Sequence, residues 1–313
     1  MPVGGGTVGD EELPEALLVE LEELAVAAAR AAGRFIVEDR PRTVAVLGTK
    51  SSVTDIVTLM DQQSEALLRR HLHAARPDDG ILGEEGGASA GTSGVTWVID
   101  PIDGTVNYLY GIPAYCVSVA AVVGDAGRAG HWQPVAGAIC NPISAEIFHA
   151  RLGGGAHLLA AERDTAGRDT AERDTAERDT AERDTAERDA AIRVNAVEVL
   201  LHSLVATGFG YLPDVRARQG EVLAAVLPHI RDIRRAGSAA LDLCAVACGT
   251  VDAYYESGLN AWDLAAGWLI ATEAGALVTG LNGAAPGEAA VVAAGPGIQA
   301  SLVARLEALA PLR

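Results

Sequence analysis

Residues 161–190 run as six pentads, AERDT AGRDT AERDT AERDT AERDT AERDA, with no apolar side chain larger than alanine. Such a stretch buries too little surface to offset the entropy of ordering it, so the core of this 313-residue chain must come from the flanks. The units are too short, and lack the apolar face, for a solenoid. Five Glu, six Asp and six Arg give the segment a charge of −5, against −18 for the whole chain. Asp174 and Arg178 stand i, i+4 apart, a spacing that supports a solvated helix by roughly 0.2–0.5 kcal/mol per pair. A mobile charged loop is the other reading, and under both the segment is an insertion and not the seat of chemistry.

The flanks alternate between helical and strand periodicity. Leu17, Leu18, Leu21, Leu24, Ala25, Ala28 and Ala32 put an apolar stripe on a helix over 12–38, and Leu67, Leu68 and Leu72 do so over 58–75. Short apolar runs bounded by Gly and Pro predict strands at 81–82, 97–99, 115–123, 135–139 and 145–150. Beyond the pentads the pattern gives strands at 204–206, 230–234, 251–256 and 290–294. Helices are expected there at 215–227, 238–248, 262–274 and 297–309. The class is mixed α and β. The expected divisions are a disordered N-terminus at 1–10, an α+β part over 11–157, the insertion over 158–192, and an α/β part over 193–313.

Charge and cysteine content narrow the function. A net charge of −18 repels nucleic acid and anionic membrane but suits a collector of divalent cations. No apolar run reaches the roughly 18–20 residues that span a bilayer, and the acidic N-terminus is unlike a signal peptide. Four cysteines are too few for a disulfide framework, so a cytoplasmic setting is expected. Of 24 basic residues 23 are Arg; the single Lys, Lys50, points to a site where a compact ammonium is needed.

The segment TWVIDPIDGTVNY, 96–108, carries the most chemistry. An apolar strand ends at Asp100, Pro101 is expected to stop the ladder, and the chain is expected to reverse so that Asp100 and Asp103 converge. The Ile102 carbonyl is then a hard oxygen ligand, and the Gly104 and Thr105 amides stand at a helix start that favours an anion. Hard oxygens beside a phosphate cradle suit Mg2+. Two more segments supply carboxylates: ILGEEGG puts Glu84 and Glu85 at a strand end, and GLNAWDLAAGW puts Asp263 in the first turn of a helix.

Glu84-Glu85, Asp100-Pro101-Ile102-Asp103-Gly104-Thr105 and Trp262-Asp263 resemble the signature motifs of the inositol monophosphatase family. Lys50-Ser51-Ser52 with Asp55, Asp61-Gln62, Gly237-Ser238-Ala239-Ala240 and Asp252-Ala253-Tyr254-Tyr255-Glu256 match as well, in order, from about Ala25 to Gly295. The resemblance implies a layered αβαβα sandwich, a homodimer, and a lithium-sensitive hydrolase of small phosphate monoesters that needs two or three Mg2+ ions. It implies that Glu84, Asp100, the Ile102 carbonyl, Asp103 and Asp263 hold the metals. Glu84 and Thr105, backed by Asp61, would activate water. Phosphate and substrate would meet Asp103, Gly104, Thr105, Gly237, Ala239, Glu256 and Asp263, and Lys50 would sit on a mobile loop that closes near the metals.

The match points to myo-inositol 1-phosphate or a related polyol phosphate. Fructose 1,6-bisphosphate, histidinol phosphate and 3′-phosphoadenosine nucleotides are alternatives, as is a regulatory role beside the transcription machinery without direct RNA contact. Val106 stands where many relatives have Thr, and the pentads are expected to replace the hairpin after Gly155. Cys244 and Cys248 read as core thiols, His71 and His73 as solvated, Ser238 as a helix cap, and Tyr254 and Tyr255 as core. The Gly-rich run 207–211 lacks the third Gly and the acid of a dinucleotide loop.

Overall fold

The computed structural model describes residues 13–49, 56–128, 130–161 and 187–309. The expectations for 1–10, for Lys50 and for the pentads up to 186 lie outside the described residues. Helix α1 (Glu15–Glu38) buries the stripe Leu18, Leu21, Ala25, Ala28, Ala29, Ala32 and Ile36, as its periodicity requires. A two-stranded ribbon, β1 (Val46–Thr49) and β2 (Ile56–Thr58), leads into α2 (Leu59–Ala75). Then follow β3 (Gly80–Gly83), β4 (Gly87–Ser89), β5 (Val95–Asp103), the short α3 (Thr105–Tyr110), β6 (Cys116–Gly124), β7 (Trp132–Asn141), β8 (Glu146–Arg151), β9 (Gly155–Ala161) and β10 (Glu187–Ala191). They form one eight-stranded sheet in the order β10-β9-β8-β7-β6-β5-β3-β4, in which only β3 and β5 pair in parallel.

The second half begins with β11 (Leu204–Thr207), α4 (Pro213–Val226), β12 (Asp232–Arg234) and α5 (Ala239–Ala247). It continues with β13 (Ala253–Glu256), α6 (Ala261–Glu273), β14 (Leu277–Thr279), β15 (Val291–Ala294) and α7 (Pro296–Glu307). Its strands make a five-stranded mixed sheet, β12-β11-β13-β15-β14.

Strand alternation stacks these elements into layers, because successive side chains point to opposite faces. On β5, Trp97 and Ile99 join the core beneath α1 and α2, whereas Val98 joins the core beneath α5 and α6. On β13, Tyr254 faces α5 and α6, while Ala253 and Tyr255 face the outer core beneath α4 and α7. The result is helices, large sheet, helices, small sheet, helices, which is the expected αβαβα sandwich. Helices α5 and α6 are apolar on most of their surface because both sides are covered, and they bury Leu243, Val246, Leu264, Leu269 and Ile270.

Two local expectations are corrected. The β5 ladder does not stop at Pro101 but runs on to Asp103 through an irregularity: Asp100 pairs with Ser118 and Asp103 with Cys116. The hairpin after Gly155 is not replaced either, since β9 and β10 pair from His157↔Ala191 to Ala161↔Glu187. The pentads therefore enter at the tip of an intact hairpin, and the last pentad contributes Glu187, Arg188 and Asp189 to β10.

Because Ala161 and Glu187 are already partners, replacing 162–186 by Asn-Gly closes a two-residue turn in register. That variant is expected to fold and to keep its activity within about threefold, since loop closure changes slowly with length. A loss of cooperative unfolding on thermal melting would show instead that the segment is structural.

Candidate active site

The β5 irregularity brings the first two carboxylates together. In a regular strand Asp100 and Asp103, three apart, would face opposite sides of the sheet. Here three steps on β5 oppose two on β6, so one extra residue resets the alternation and both aspartates emerge on the same side. Pro101 tolerates this place because it has no N–H to lose from the ladder. The Ile102 side chain is buried under α1 and α2, and its N–H donates to Asp100 Oδ1 at 3.0 Å. Residue 102 is thereby fixed on both sides, and its carbonyl accepts from the Thr105 hydroxyl at 3.1 Å.

The third carboxylate comes from a helix start. Asp263 is the third residue of α6, and its Oδ2 accepts from the Asn260 N–H at 2.7 Å in a reciprocal cap with the Asn260 side chain. The Ser118 hydroxyl, opposite Asp100 on β6, donates to the Trp262 carbonyl at 3.3 Å and fixes this helix end against the sheet. One oxygen each from Asp100, Asp103 and Asp263 then lies within 4.8 Å of the others. Asp103 Oδ2 is held by the Ser238 hydroxyl at 2.6 Å and the Ala240 N–H at 2.7 Å. Ser238 is the expected cap of α5, accepting from the Leu241 N–H at 3.3 Å, and it also aims Asp103.

Burial pushes the Asp103 carboxyl up, and burial together with the Asp103 and Glu84 charges pushes Asp263 well above the usual carboxylate range. Acids crowded in this way need a proton or a cation. Three carboxylate oxygens with a backbone carbonyl beside them form a hard-oxygen set that fits a small divalent cation.

Behind the cluster, Asp61 is fully buried in the first turn of α2. Its Oδ2 accepts from the Thr58 N–H at 2.8 Å and the Thr58 hydroxyl, and its Oδ1 faces the Thr105 hydroxyl at 3.1 Å. A hydroxyl has one proton, so Thr105 serves either Asp61 or the Ile102 carbonyl at a time. Gly104 precedes α3 with φ of +97°, and a Cβ there would stand 2.9 Å from the Ala114 carbonyl, so the turn demands glycine.

These groups line one cavity of about 520 Å3. It contains Glu84, Asp100, Ile102, Asp103, Gly104, Thr105, Gly237, Ala239, Glu256 and Asp263, so every predicted site residue that is described lies on it except Asp61, which stands behind Thr105. The same cavity is lined by Asp242, Ser257 and Glu288, which the sequence reading did not single out, and by Arg235 and the Gly-rich run, here Gly208–Leu212. Glu256 ends β13, accepts from the Tyr254 hydroxyl at 2.6 Å, and is pushed up to about 7 by burial, against the lowering effect of Tyr254 and Arg235. Gly208 lies directly beneath it; a Cβ there would fall 1.9 Å from Glu256 Oε2.

Asp242, on the first turn of α5, is pushed up to about 8 by burial, with further repulsion from Glu256 and Asp103. The folded state thus keeps a proton that the unfolded chain releases near the ordinary 3.8. Stability from this group is present at low pH and declines as pH rises from about 4 to about 8. In EDTA, Asp242→Asn is expected to raise Tm by a few degrees at pH 8 and by less at pH 5. Equal shifts at both values, read by calorimetry, would contradict the assignment.

A second groove of about 610 Å3 lies between α1 and strands β8–β10. Several of its charges are paired: Glu22 with His149 and Arg151, Asp189 with His149 and His157, and Arg30 with the neighbouring Glu187. Among the described residues, the converging acids all belong to the first cavity. No helix among the described residues is long and apolar enough to cross a membrane.

Known proteins resemble this chain along most of its length. The model of the inositol monophosphatase family matches residues 17–310. The inositol-1-monophosphatase SuhB of Mycobacterium tuberculosis (strain H37Rv) is 46% identical over 264 residues, 82% of this chain and 80% of that one. The Nus factor SuhB of Xylella fastidiosa is 37% identical over 266 residues, 83% of this chain and 81% of its own. The crystal structure of the extragenic suppressor protein SuhB from Bartonella henselae superposes with a TM-score of 0.74 at 32% identity, covering 91% of this chain and 97% of that one.

Proposed function

The chain belongs to the inositol monophosphatase family, and from that premise we propose that it is a Mg2+-dependent phosphomonoesterase whose substrate is myo-inositol 1-phosphate or a closely related polyol phosphate. The observation that carries the reading is the meeting of three carboxylate oxygens within 4.8 Å on a cavity that Glu256 also lines. Asp100, Asp103, Asp263, the Ile102 carbonyl and Glu84 would hold two or three ions. Bound there, Mg2+ would make hydroxide available near neutral pH and stabilise the leaving alkoxide.

The chain's own groups do the rest. Asp61 fixes the Thr105 hydroxyl, and with its proton turned to Asp61 the Thr105 oxygen accepts from the attacking water. Glu84 takes the proton that this water loses. The amides of Gly104, just before α3, and of Thr105, its first residue, have no intrahelical partners and meet the phosphate oxygens. Gly237 and Ala239 let the substrate approach the start of α5, and Glu256, fixed by Tyr254, accepts from ring hydroxyls. The family resemblance supports lithium inhibition, a homodimer and a cytoplasmic setting as parts of the same reading.

Substrate choice is tested by kcat/KM for inositol 1-phosphate, fructose 1,6-bisphosphate, histidinol phosphate and 3′-phosphoadenosine 5′-phosphate. Inositol 1-phosphate is expected to lead, because seven carboxylates on the cavity wall against one Arg235 disfavour a second phosphate. A preference for either bisphosphorylated compound would overturn that choice and keep the chemistry. The 37% identity to a Nus factor favours one second reading, a partner in the transcription machinery. Polymerase that co-purifies equally with wild type and Asp103→Asn would support it; its absence from both would exclude it.

A further inference from the structure

One face of α2 touches three separate parts of the site. Asp61 meets Thr105, Ser64 donates to the Pro101 carbonyl at 3.2 Å, and Glu65 reaches the turn between β3 and β4. Glu65 is 2% exposed, and it lies outside the acidic cluster of the cavity. Its Oε2 accepts from the Glu85 N–H at 2.7 Å, and its Oε1 from the Gly86 N–H at 2.8 Å and from Arg69 Nε at 2.7 Å. Arg69, one turn further along α2, donates from Nη2 to the Gly87 carbonyl at 2.5 Å.

The turn is shaped to receive this carboxylate. A Cβ at Gly83 or at Gly86 would lie 2.6 Å from Glu65 carboxyl atoms, so the chain approaches the acid as closely as glycine permits. Glu84 stands between those glycines, with its own side chain on the cavity. No sequence motif marks the pair, since Glu65 and Arg69 at i, i+4 on a helix read as an ordinary surface ion pair.

We propose that Glu65, braced by Arg69, is the positioning residue for Glu84: it fixes the backbone of the Gly83–Gly87 turn so that the Glu84 carboxylate is preorganised for the cation. This rests on the metal reading of the preceding subsection. A carboxylate can accept from both backbone N–H groups and from Arg69 at once. Glutamine keeps the shape but offers one oxygen, and it turns an NH2 toward an N–H. Supporting contacts of this kind typically change metal affinity by about 10–100-fold.

The test is calorimetric titration of Mg2+ into substrate-free wild type, Glu65→Gln, Arg69→Gln and Asp79→Asn. Asp79 is a buried acid held by Arg76, Ser93 and Trp97 at the opposite end of β3 from the turn, and it controls for lost stability alone. Glu65→Gln is expected to weaken Mg2+ binding about tenfold or more. Its KM for inositol 1-phosphate at saturating Mg2+ should stay within threefold. Arg69→Gln, at a partly exposed position, should shift Mg2+ binding the same way by less, and it decides the matter if Glu65→Gln does not fold. Asp79→Asn should lower Tm and leave Mg2+ affinity unchanged. Wild-type affinity in Glu65→Gln and Arg69→Gln, or an equal loss in Asp79→Asn, would overturn the proposal and spare the metal reading. A wild type that takes up no Mg2+ would overturn both.

Discussion

Asp103→Asn is expected to fold as well as the wild type and to lose about three orders of magnitude in kcat, roughly 4 kcal/mol of transition-state stabilisation. The asparagine oxygen can still accept from the Ser238 hydroxyl and the Ala240 N–H, which hold the native side chain at 2.6 and 2.7 Å. What disappears is one negative charge from a group of three within 4.8 Å. That charge is a cost to the protein without its cation, since burial pushes the acid up. In EDTA the variant should therefore melt at the same temperature as the wild type or higher, while Mg2+ no longer raises its Tm. A variant that loses activity and stability together, and still responds to Mg2+, would make Asp103 a structural residue.

The second large effect concerns Glu256 on the same cavity. Glu256→Ala is expected to raise KM for inositol 1-phosphate about tenfold, near 1.4 kcal/mol, which is the usual size for a lost hydrogen bond to a charged group. The kcat for a phosphate ester without ring hydroxyls should hardly change. Gly208→Ala should do the same with Glu256 still in the chain, because its Cβ would occupy the place of Glu256 Oε2. The carboxyl is the far end of a flexible side chain, so it is expected to swing away and leave the fold intact. Parallel rises in KM for the two variants would tie the effect to the position of the carboxylate. An unchanged KM in both would remove Glu256 from substrate recognition.

Much of this was legible in the residues. Apolar period gave the long helices closely: 12–38 against Glu15–Glu38, and 58–75 against Leu59–Ala75. Their buried stripes are long enough for the 3.6-residue repeat to show. The short strands β1, β2, β4 and β14 were not legible, because three or four residues, exposed throughout in β4 and mostly so in β1, carry too little apolar alternation to show. The carboxylates that meet were each visible at a strand end or helix start, while the means of convergence was misread. Asp-Pro-Ile-Asp-Gly has the composition of a turn, yet the neighbouring β6 holds the backbone extended through Pro101, and an irregularity in pairing does the work of a reversal. Strand β6 supplies the partners and lies thirteen or more residues on, where no local signal reports it.

The supporting groups were the least visible. Glu65 and Asp242 sit on helices where a charged residue ordinarily marks the solvent side, and only tertiary packing turns them inward. Tyr254 read as core and is buried in the core, but its hydroxyl also fixes Glu256. Ser238 read as a cap and also aims Asp103. Tyr254 serves the fold with its ring and the site with its hydroxyl, Ser238 serves both through its one Oγ, and residue type alone shows only the first role of each.

A carboxylate cluster that makes the chain a metal-dependent phosphatase must lose its activity together with its metal. The direct measurement is phosphate release from myo-inositol 1-phosphate by purified protein in Mg2+, then in excess EDTA, then after Mg2+ is restored. The expected result is turnover that EDTA abolishes and Mg2+ recovers in full, with lithium inhibiting the recovered activity. Phosphate release that persists unchanged in EDTA, or a folded protein that binds Mg2+ and releases no phosphate, would contradict it.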